Sequence, residues 1–456
     1  MKGPHILDYE LRITVEKVAI STQEVVKRDT IKIYDIEAPK SILELGLRHA
    51  EQISLLEKVQ NSLLAEQSVL IEADPKFCPN CGQKVKKNGT YPSSFHSVFS
   101  DHKLRIGKHH CTNPECRWST SPTTKSVFGT NIHPDLAKLQ CEQGALFSYR
   151  EAQGNLEKLN CKPRRINNHT QIKRLTDQVG GVIAAENLIP ISTDACAPAS
   201  AELLIQLDGG HIPIQDKNKR SFEALSGIVY RPESIEQIDE QHRHITDKSC
   251  AISAVSDGLK TIKTYLLNAA LKQGMTEDTK ITALADGAQN CWSTLSSLKP
   301  HCRELQCILD WFHIGKKYET VKNALGDIWE EDIESSKWTL WHGDADKALT
   351  KLNEMQQQIK NTKIRAQLAE LYDFVNRNKE YLVNYHERKE ASLIFTSQTA
   401  ESHVESLINA RHKRSRKMQW NRESAHNVLQ IRAKKASNEW DSQWQPFVLT
   451  ALGVAA

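Results

Sequence analysis

Apolar and polar positions along the chain fall into stretches of different period. Two β-rich stretches, Glu10–Ser21 and Glu24–Ile36, open the sequence. From Ser41 to Ala73 the leucines and isoleucines at 43, 45, 47, 53, 55 and 56 come near helical spacing. Three further helices are predicted at Leu136–Phe147, Tyr149–Leu159 and Asn168–Val179, with Ser148 and Glu151 as a capping box for the second. From Glu202 the pattern turns to strands. Leu203–Leu207, then Ile212–Ile214 and Phe222–Tyr230, then Ser249–Val255 read as three antiparallel strands. Helix Asp257–Gln273, strand Lys280–Ala285, a short helix and strand Leu305–Leu309 follow. After His313 the pattern is helical to Lys389, and a last helical region begins near Ser397.

The order of three antiparallel strands, helix, strand, helix and strand is the one expected of an α/β, ribonuclease H-like core, and a long all-helical stretch follows it. The predicted organisation is a β/helical arm over 1–74, a zinc ribbon over 75–127 and a helix-turn-helix-like region over 128–195. The first part of the core spans 196–315, the helical insertion 316–395, and a catalytic helix with a basic C-terminal region 396–456. A chain of 456 residues accommodates about three domains.

Composition narrows the classes. Apolar residues make up 39% and charged residues 25%, which fits a globular protein and excludes collagenous or wholly disordered chains. No uncharged apolar run approaches 18 residues, so no membrane span is expected. Asp8, Glu10 and Arg12 stand where a signal peptide needs its apolar stretch, so export is not expected either. The predicted location is cytoplasmic and, for a DNA-binding protein, nucleoid-associated.

Net charge is only +4, but the cations are clustered. Lys76–Lys125 has nine Lys/Arg against Asp101 and Glu115; Lys162–Arg174 has five and no acid; Glu401–Trp440 has nine against four. Three such blocks suggest surfaces for phosphates. The candidates are Arg164, Arg165, Lys173 and Arg174 near the third helix, which would enter a major groove, and Arg411, Lys413 and Arg414 near the C-terminus.

Eleven cysteines is an odd number, and four lie in two short clusters, Cys78-Pro-Asn-Cys81 and Cys111-Thr-Asn-Pro-Glu-Cys116. Thiolates a few residues apart on Gly- or Pro-containing turns can share one tetrahedral Zn²⁺. Because the second cluster has four intervening residues, His109 or His110 is an alternative ligand there. Unrelated buried cysteines are the bland alternative. Four protein ligands leave no open position, so the zinc is expected to be structural.

Asp208 and Asp286 each follow an apolar strand and precede glycine. Carboxylates at strand ends, with a helical acid, can hold two divalent cations for in-line phosphoryl transfer. Hard oxygen ligands favour Mg²⁺ or Mn²⁺. The glycines are expected to leave room for a phosphodiester. Each Asp-Gly taken alone is also an ordinary turn. Trp292 and Trp311 could stack on an unpaired base, with core packing as the alternative.

Leu207-Asp-Gly-Gly-His-Ile-Pro-Ile214, Lys219-Arg-Ser-Phe-Glu-Ala-Leu225, Ala285-Asp-Gly-Ala-Gln-Asn-Cys-Trp292 and Leu309-Asp-Trp-Phe-His313 go together with Thr396-Ser-Gln-Thr-Ala-Glu-Ser402, Met418-Gln-Trp420 and Leu429-Gln-Ile-Arg432. This set, over roughly residues 75–440, resembles bacterial insertion-sequence transposases of the DDE type, in particular the ISKra group and more distantly the Mutator-like enzymes. The resemblance implies metal ligation by Asp208, Asp286 and a glutamate. Glu401 is the favoured third acid and Glu405, one helical turn on, the alternative. Gln398 stands where many relatives have glycine. Asp310-x-x-His313 is similar to a motif that supports the metal site in Mutator-like and hAT transposases; a histidine capping the next helix is the structural alternative.

The expected function is therefore binding of terminal inverted repeats and target DNA, with strand cleavage and strand transfer, by a homo-oligomer on double-stranded DNA and without a membrane partner. A catalytically inactive, transposase-derived regulator, or a ribonuclease H-like nuclease without strand transfer, is the alternative.

Overall fold

The computed structural model describes residues 9–36, 39–71, 76–191, 196–216, 218–237, 243–397, 403–414 and 418–454. It divides into two compact units, Met1–Val179 with Trp444–Ala456, and Gly180–Gln443.

The first unit opens with an antiparallel hairpin, β1 (Tyr9–Val18) and β2 (Val25–Ile36), and helix α1 (His49–Leu70). Glu66 of α1 accepts from Lys17 and Lys27 of the hairpin. A three-stranded sheet follows, β3 (Val85–His96), β4 (Asp101–Cys111) and β5 (Ser119–Thr120). Alternation on β4 buries His102, Leu104 and Ile106 and leaves Asp101, Lys103 and Arg105 exposed, as a half-buried strand requires. Leu104 and Ile106 pack on Leu64 of α1. Helices α2 (Thr124–Phe128), α3 (Pro134–Leu146), α4 (Tyr149–Glu157) and α5 (His169–Glu186) come next. The Ser148–Glu151 capping box forms as the sequence indicates.

The second unit is a mixed α/β layer around a five-stranded sheet. Its strands are β6 (Glu202–Pro213), β7 (Ser221–Tyr230), β10 (Ser249–Ser253), β11 (Lys280–Ala285) and β12 (Glu304–Leu309), with β8 (Ile235–Gln237) and β9 (Arg243–Ile245) forming a separate small hairpin. The order is β10-β7-β6-β11-β12: the first three strands pair antiparallel, and β6, β11 and β12 run parallel. Parallel strands covered on both faces read as unbroken apolar runs. Leu203, Ile205 and Leu207 of β6 face one core, with Ile262, Tyr265 and Leu266 of α6 (Lys260–Lys272) and Trp292 of α7 (Gln289–Ser296).

Helices α8 (Trp311–Leu325), α9 (Glu330–Trp341), α10 (Ala345–Gln358), α11 (Thr362–Arg377) and α12 (Tyr385–Glu390) extend that core. On the other face Ile212, Phe222 and Ala224 meet Val404, Leu407 and Ile408 and helix α14 (Arg422–Ala436). Leu407 and Ile408 belong to a π-helical turn, Glu405–Asn409, which continues into the short α13 (Ala410–His412); α15 (Trp440–Leu452) is the last helix, and its residues from Trp444 on belong to the first unit. Among the described residues no helix is long and apolar enough to cross a membrane.

One strand differs from expectation. The apolar run at 203–207 does not end at Asp208, because β6 continues through Asp-Gly-Gly-His to Pro213. The extension pairs with β7 alone, from Asp208↔Ser226 to Pro213↔Ser221, while β11 stops opposite Leu207. Asp208 therefore lies within a strand, at the point where its parallel neighbour ends.

Candidate active site and four-cysteine cluster

Register sets the geometry of the acidic site. Ala285 is level with Leu207 on one side and with Leu309 on the other. The next residues, Asp208, Asp286 and Asp310, thus form a row where the parallel pairing ends: Asp286 and Asp310 directly follow their strands, and Asp208 directly follows the last level at which β6 has a parallel neighbour. Open α/β sheets commonly bind ligands at such an edge. A cavity of about 590 Å³ at that edge is lined by all three, with His313, Lys316, Ser397, His403, Glu405 and Asn409.

The three aspartates differ in how their oxygens are used. Asp208 Oδ1 accepts from Gly209 N (2.7 Å) and Asp286 Oδ1 from Ala288 N (2.9 Å). Asp310 is buried and caps α8 through Phe312 N (3.0 Å), and it also accepts from Ser397 N (3.1 Å) and from the Ser397 hydroxyl. His313 Nε2 stands 3.7 Å from Asp310 Oδ2 and 4.0 Å from Asp208 Oδ2, too far for hydrogen bonds. Burial raises the Asp208 carboxyl above its ordinary value. The charges of Asp286 and Asp310 push the same way, while His313 and the Gly209 N–H oppose them. A bound cation would relieve that repulsion.

Glu405 reaches the cavity from the π-helical turn and accepts from Asn409 Nδ2 (2.7 Å). Glu401 lies outside the described residues. His403 anchors the same segment, with Nε2 donating to Ser226 O (2.9 Å), and burial holds its pKa down to about 4. Among the described residues the acids of the cavity form no group of three with ligand atoms within 4.8 Å of one another.

The glycines beside these aspartates do not open space for substrate. A Cβ on Gly209 would stand 2.5 Å from Glu223 Oε1, and one on Gly210 2.6 Å from Ile408 Cδ1. Gly287 is likewise hemmed by Phe374, Asn378 and Leu309. The protein's own side chains fill the room that glycine leaves. Trp292 and Trp311 are packing residues: Trp292 donates to Asn378 Oδ1 and stacks on Tyr381, and Trp311 lies against Trp341 and Tyr385.

Two of the candidate DNA-binding arginines are also corrected. Arg164 is buried and donates to Asp101, Val98 O, Ser100 O and Asn160, so its guanidinium is spent on holding β4. Arg411 is buried over the Trp420 ring. Arg165, Lys173, Arg174, Lys413 and Arg414 are exposed, with Lys173 paired to Asp177 (2.6 Å) and Arg174 bonded to Gln171. Sequence reasoning also passed over Glu223 as a site residue. Its signal is a charged residue inside the apolar strand Ser221–Tyr230.

In the first unit Cys78, Cys81, Cys111 and Cys116 bring their Sγ atoms within 4.8 Å of one another, a cluster that can hold a structural metal such as zinc. Gly82, with φ +70°, lets the first turn close, and its N–H donates to Cys78 O. The longer second turn is closed by Cys116 N to Asn113 O, so four thiols complete the set without His109 or His110. The Gln83 N–H, with the Cys111 thiol, holds Cys81 down to about 7, while burial pushes Cys111 up to about 12.

No protein-family model matches the chain, and no curated protein matches it.

Proposed function

We propose that the chain is a DNA transposase of the DDE type, cutting and joining strands at the cavity below Asp208 and Asp286. The observation that carries the reading is their adjacency: two carboxylates on neighbouring parallel strands, one raised by burial and by the other's charge, facing a glutamate on the covering helix. The sheet order, three antiparallel strands followed by two parallel ones, is the order that a ribonuclease H-like core calls for.

Mg²⁺ or Mn²⁺ held by Asp208, Asp286 and the glutamate would stabilise the attacking and leaving oxygens of an in-line phosphoryl transfer. The chain's own part is positioning. Gly209 N and Ala288 N orient the two aspartates, Asp310 fixes the start of α8, and α8 carries His313 and Lys316 to the cavity wall. The third acid is Glu401 or Glu405: Glu405 lines the cavity, and Glu401 lies outside the described residues. The four-cysteine cluster, as a zinc ribbon, would hold DNA together with the helices α3–α5 and the exposed Lys413 and Arg414.

A labelled duplex carrying the element's own ends, with Mg²⁺, tests this. Asp208→Ala and Asp286→Ala should each abolish cleavage and leave binding nearly intact; wild-type cleavage in either sinks the assignment. Glu405→Gln and Glu401→Gln should differ by orders of magnitude, because metal ligation tolerates only a few tenths of an ångström. A dead Glu401→Gln beside an active Glu405→Gln moves the third ligand back. Binding without cleavage in the wild type would favour a regulator.

A further inference from the structure

Helix α7 follows Asp286 after two residues and starts without a side-chain cap, since Ala288 occupies the N-cap. Eight residues give such a helix little stability of its own. Its first turn is tied down from outside by Asn290, whose Nδ2 donates to Glu223 Oε2 (2.7 Å) and whose Oδ1 accepts from Cys291 N (2.9 Å). Glu223 is half-buried on β7, level with His211 of β6. Its other oxygen occupies the space that a Cβ on Gly209 would take, 2.5 Å from that position. One carboxylate thus abuts the residue after Asp208 and grips the turn after Asp286.

We infer that Glu223 is a positioning residue: through Asn290 it fixes the first turn of α7, and with it the Asp286 carboxylate relative to Asp208. Glu223 acts as a hydrogen-bond acceptor in this role, so an amide oxygen can replace its charge. Gly209 is the seat for its side chain, which explains a glycine in the middle of a strand. The activity arm of the test rests on the cleavage reading above; the exchange arm does not.

Glu223→Ala and Asn290→Ala should each slow cleavage of the labelled end duplex about 100-fold, the order expected for an ångström of misplacement at a reacting centre. The double variant should be no slower than either alone, because both remove one contact. Glu223→Gln, which keeps an oxygen for Asn290, should recover cleavage to within about tenfold of wild type. Hydrogen exchange of the full-length protein should rise in residues 286–296 for both alanine variants and stay at the wild-type level for Glu223→Gln. A dead Glu223→Gln beside an active Asn290→Ala overturns the inference and makes the carboxylate itself a ligand of cation or substrate. Alanine variants that leave both cleavage and exchange unchanged overturn it too. If the wild type cleaves no duplex, the transposase reading fails and exchange over 286–296 alone decides the role of Glu223.

Discussion

Replacing Gly210 by alanine measures how closely the helix bearing Glu405 lies on the sheet. Gly210 has ordinary strand backbone, so the added methyl is resisted by its neighbours rather than by φ. It would meet Ile408 Cδ1 at 2.6 Å, Val404 Cγ1 at 3.1 Å and Ile408 Cγ2 at 3.2 Å. Ile408 is fully buried, so its terminal methyl has no void to swing into. Overpacking of this kind costs about 1–3 kcal/mol. Replacing a strand glycine recovers roughly 0.5–1 kcal/mol of that. Gly210→Ala should therefore lower the unfolding free energy by about 0–2.5 kcal/mol, the range spanned by the difference of those two terms, with its centre between about 1 and 2 kcal/mol.

Ile408→Val deletes Cδ1, the atom of closest approach, and alone should cost about 0.5–1.5 kcal/mol. In the double variant the remaining contacts start at 3.1 Å, which small shifts accommodate. It should be no less stable than Ile408→Val, a favourable coupling of about 1–2 kcal/mol. Urea midpoints of the four proteins at a common m-value give the cycle. Cleavage should fall in Gly210→Ala and return in the double variant, since the displaced segment carries Glu405. Additive stabilities would refute the close approach of helix and strand.

The cysteine cluster should bind one zinc per chain by elemental analysis, and Cys78→Ser should lose the metal and the order of β3–β4 together; a metal-free wild type rules the site out. Arg164→Ala should cost about 1–3 kcal/mol, because it removes the bonds of a buried guanidinium to Asp101, Asn160 and the Val98 and Ser100 carbonyls, although Ser100 O keeps its bonds from Ser97. The same change should leave the salt dependence of DNA binding unaltered, whereas Arg165→Ala should reduce the log–log slope by about 1; the reverse pattern would return Arg164 to the DNA surface.

Burial holds His412 down to about 3 and His426 down to about 4. Their stabilising contribution is full above the unfolded value near 6.5 and is lost as pH falls from there to about 4, at up to about 2.7 kcal/mol per pH unit for the two. A pH-independent urea midpoint over that window, or one unaltered in steepness by His426→Asn, would contradict the neutral burial of these rings.

The parts of the fold legible in the sequence are those where burial leaves a continuous trace. β11 is buried along all but its first residue and stands out as a largely apolar run, and β12 is legible from its buried end, Ile308–Leu309; each is bounded by an aspartate. β6 is legible only as far as Leu207, because Asp208-Gly-Gly breaks the apolar run. Asp208 lines the cavity there, and pairing to β7 alone sustains the strand. Arg164 and Arg411 show the converse limit. A guanidinium in a basic block looks solvent-facing, and only its partners, Asp101 at the start of β4 for Arg164 and the Trp420 ring for Arg411, reveal that it is buried. The π-helical turn at Glu405 is invisible to a 3.6-residue period, so spacing alone cannot say which glutamate faces the aspartates.

The aspartates themselves illustrate what a motif carries and what it omits. Asp208, Asp286 and Asp310 occupy equivalent rows on three adjacent strands, and sequence position gives them equal standing. Their chemistry diverges through the donors already on them. Both oxygens of Asp310 are engaged by α8 and Ser397, which suits an anchor. Asp208 and Asp286 each give one oxygen to a backbone N–H of the next two residues and turn the rest of the carboxylate toward the cavity. A carboxylate oriented by one short local bond, and crowded by another like it, is poised to take a cation. One satisfied on both oxygens is not. On the proposed reading, that difference, rather than the shared Asp, separates the two cation ligands from the anchor.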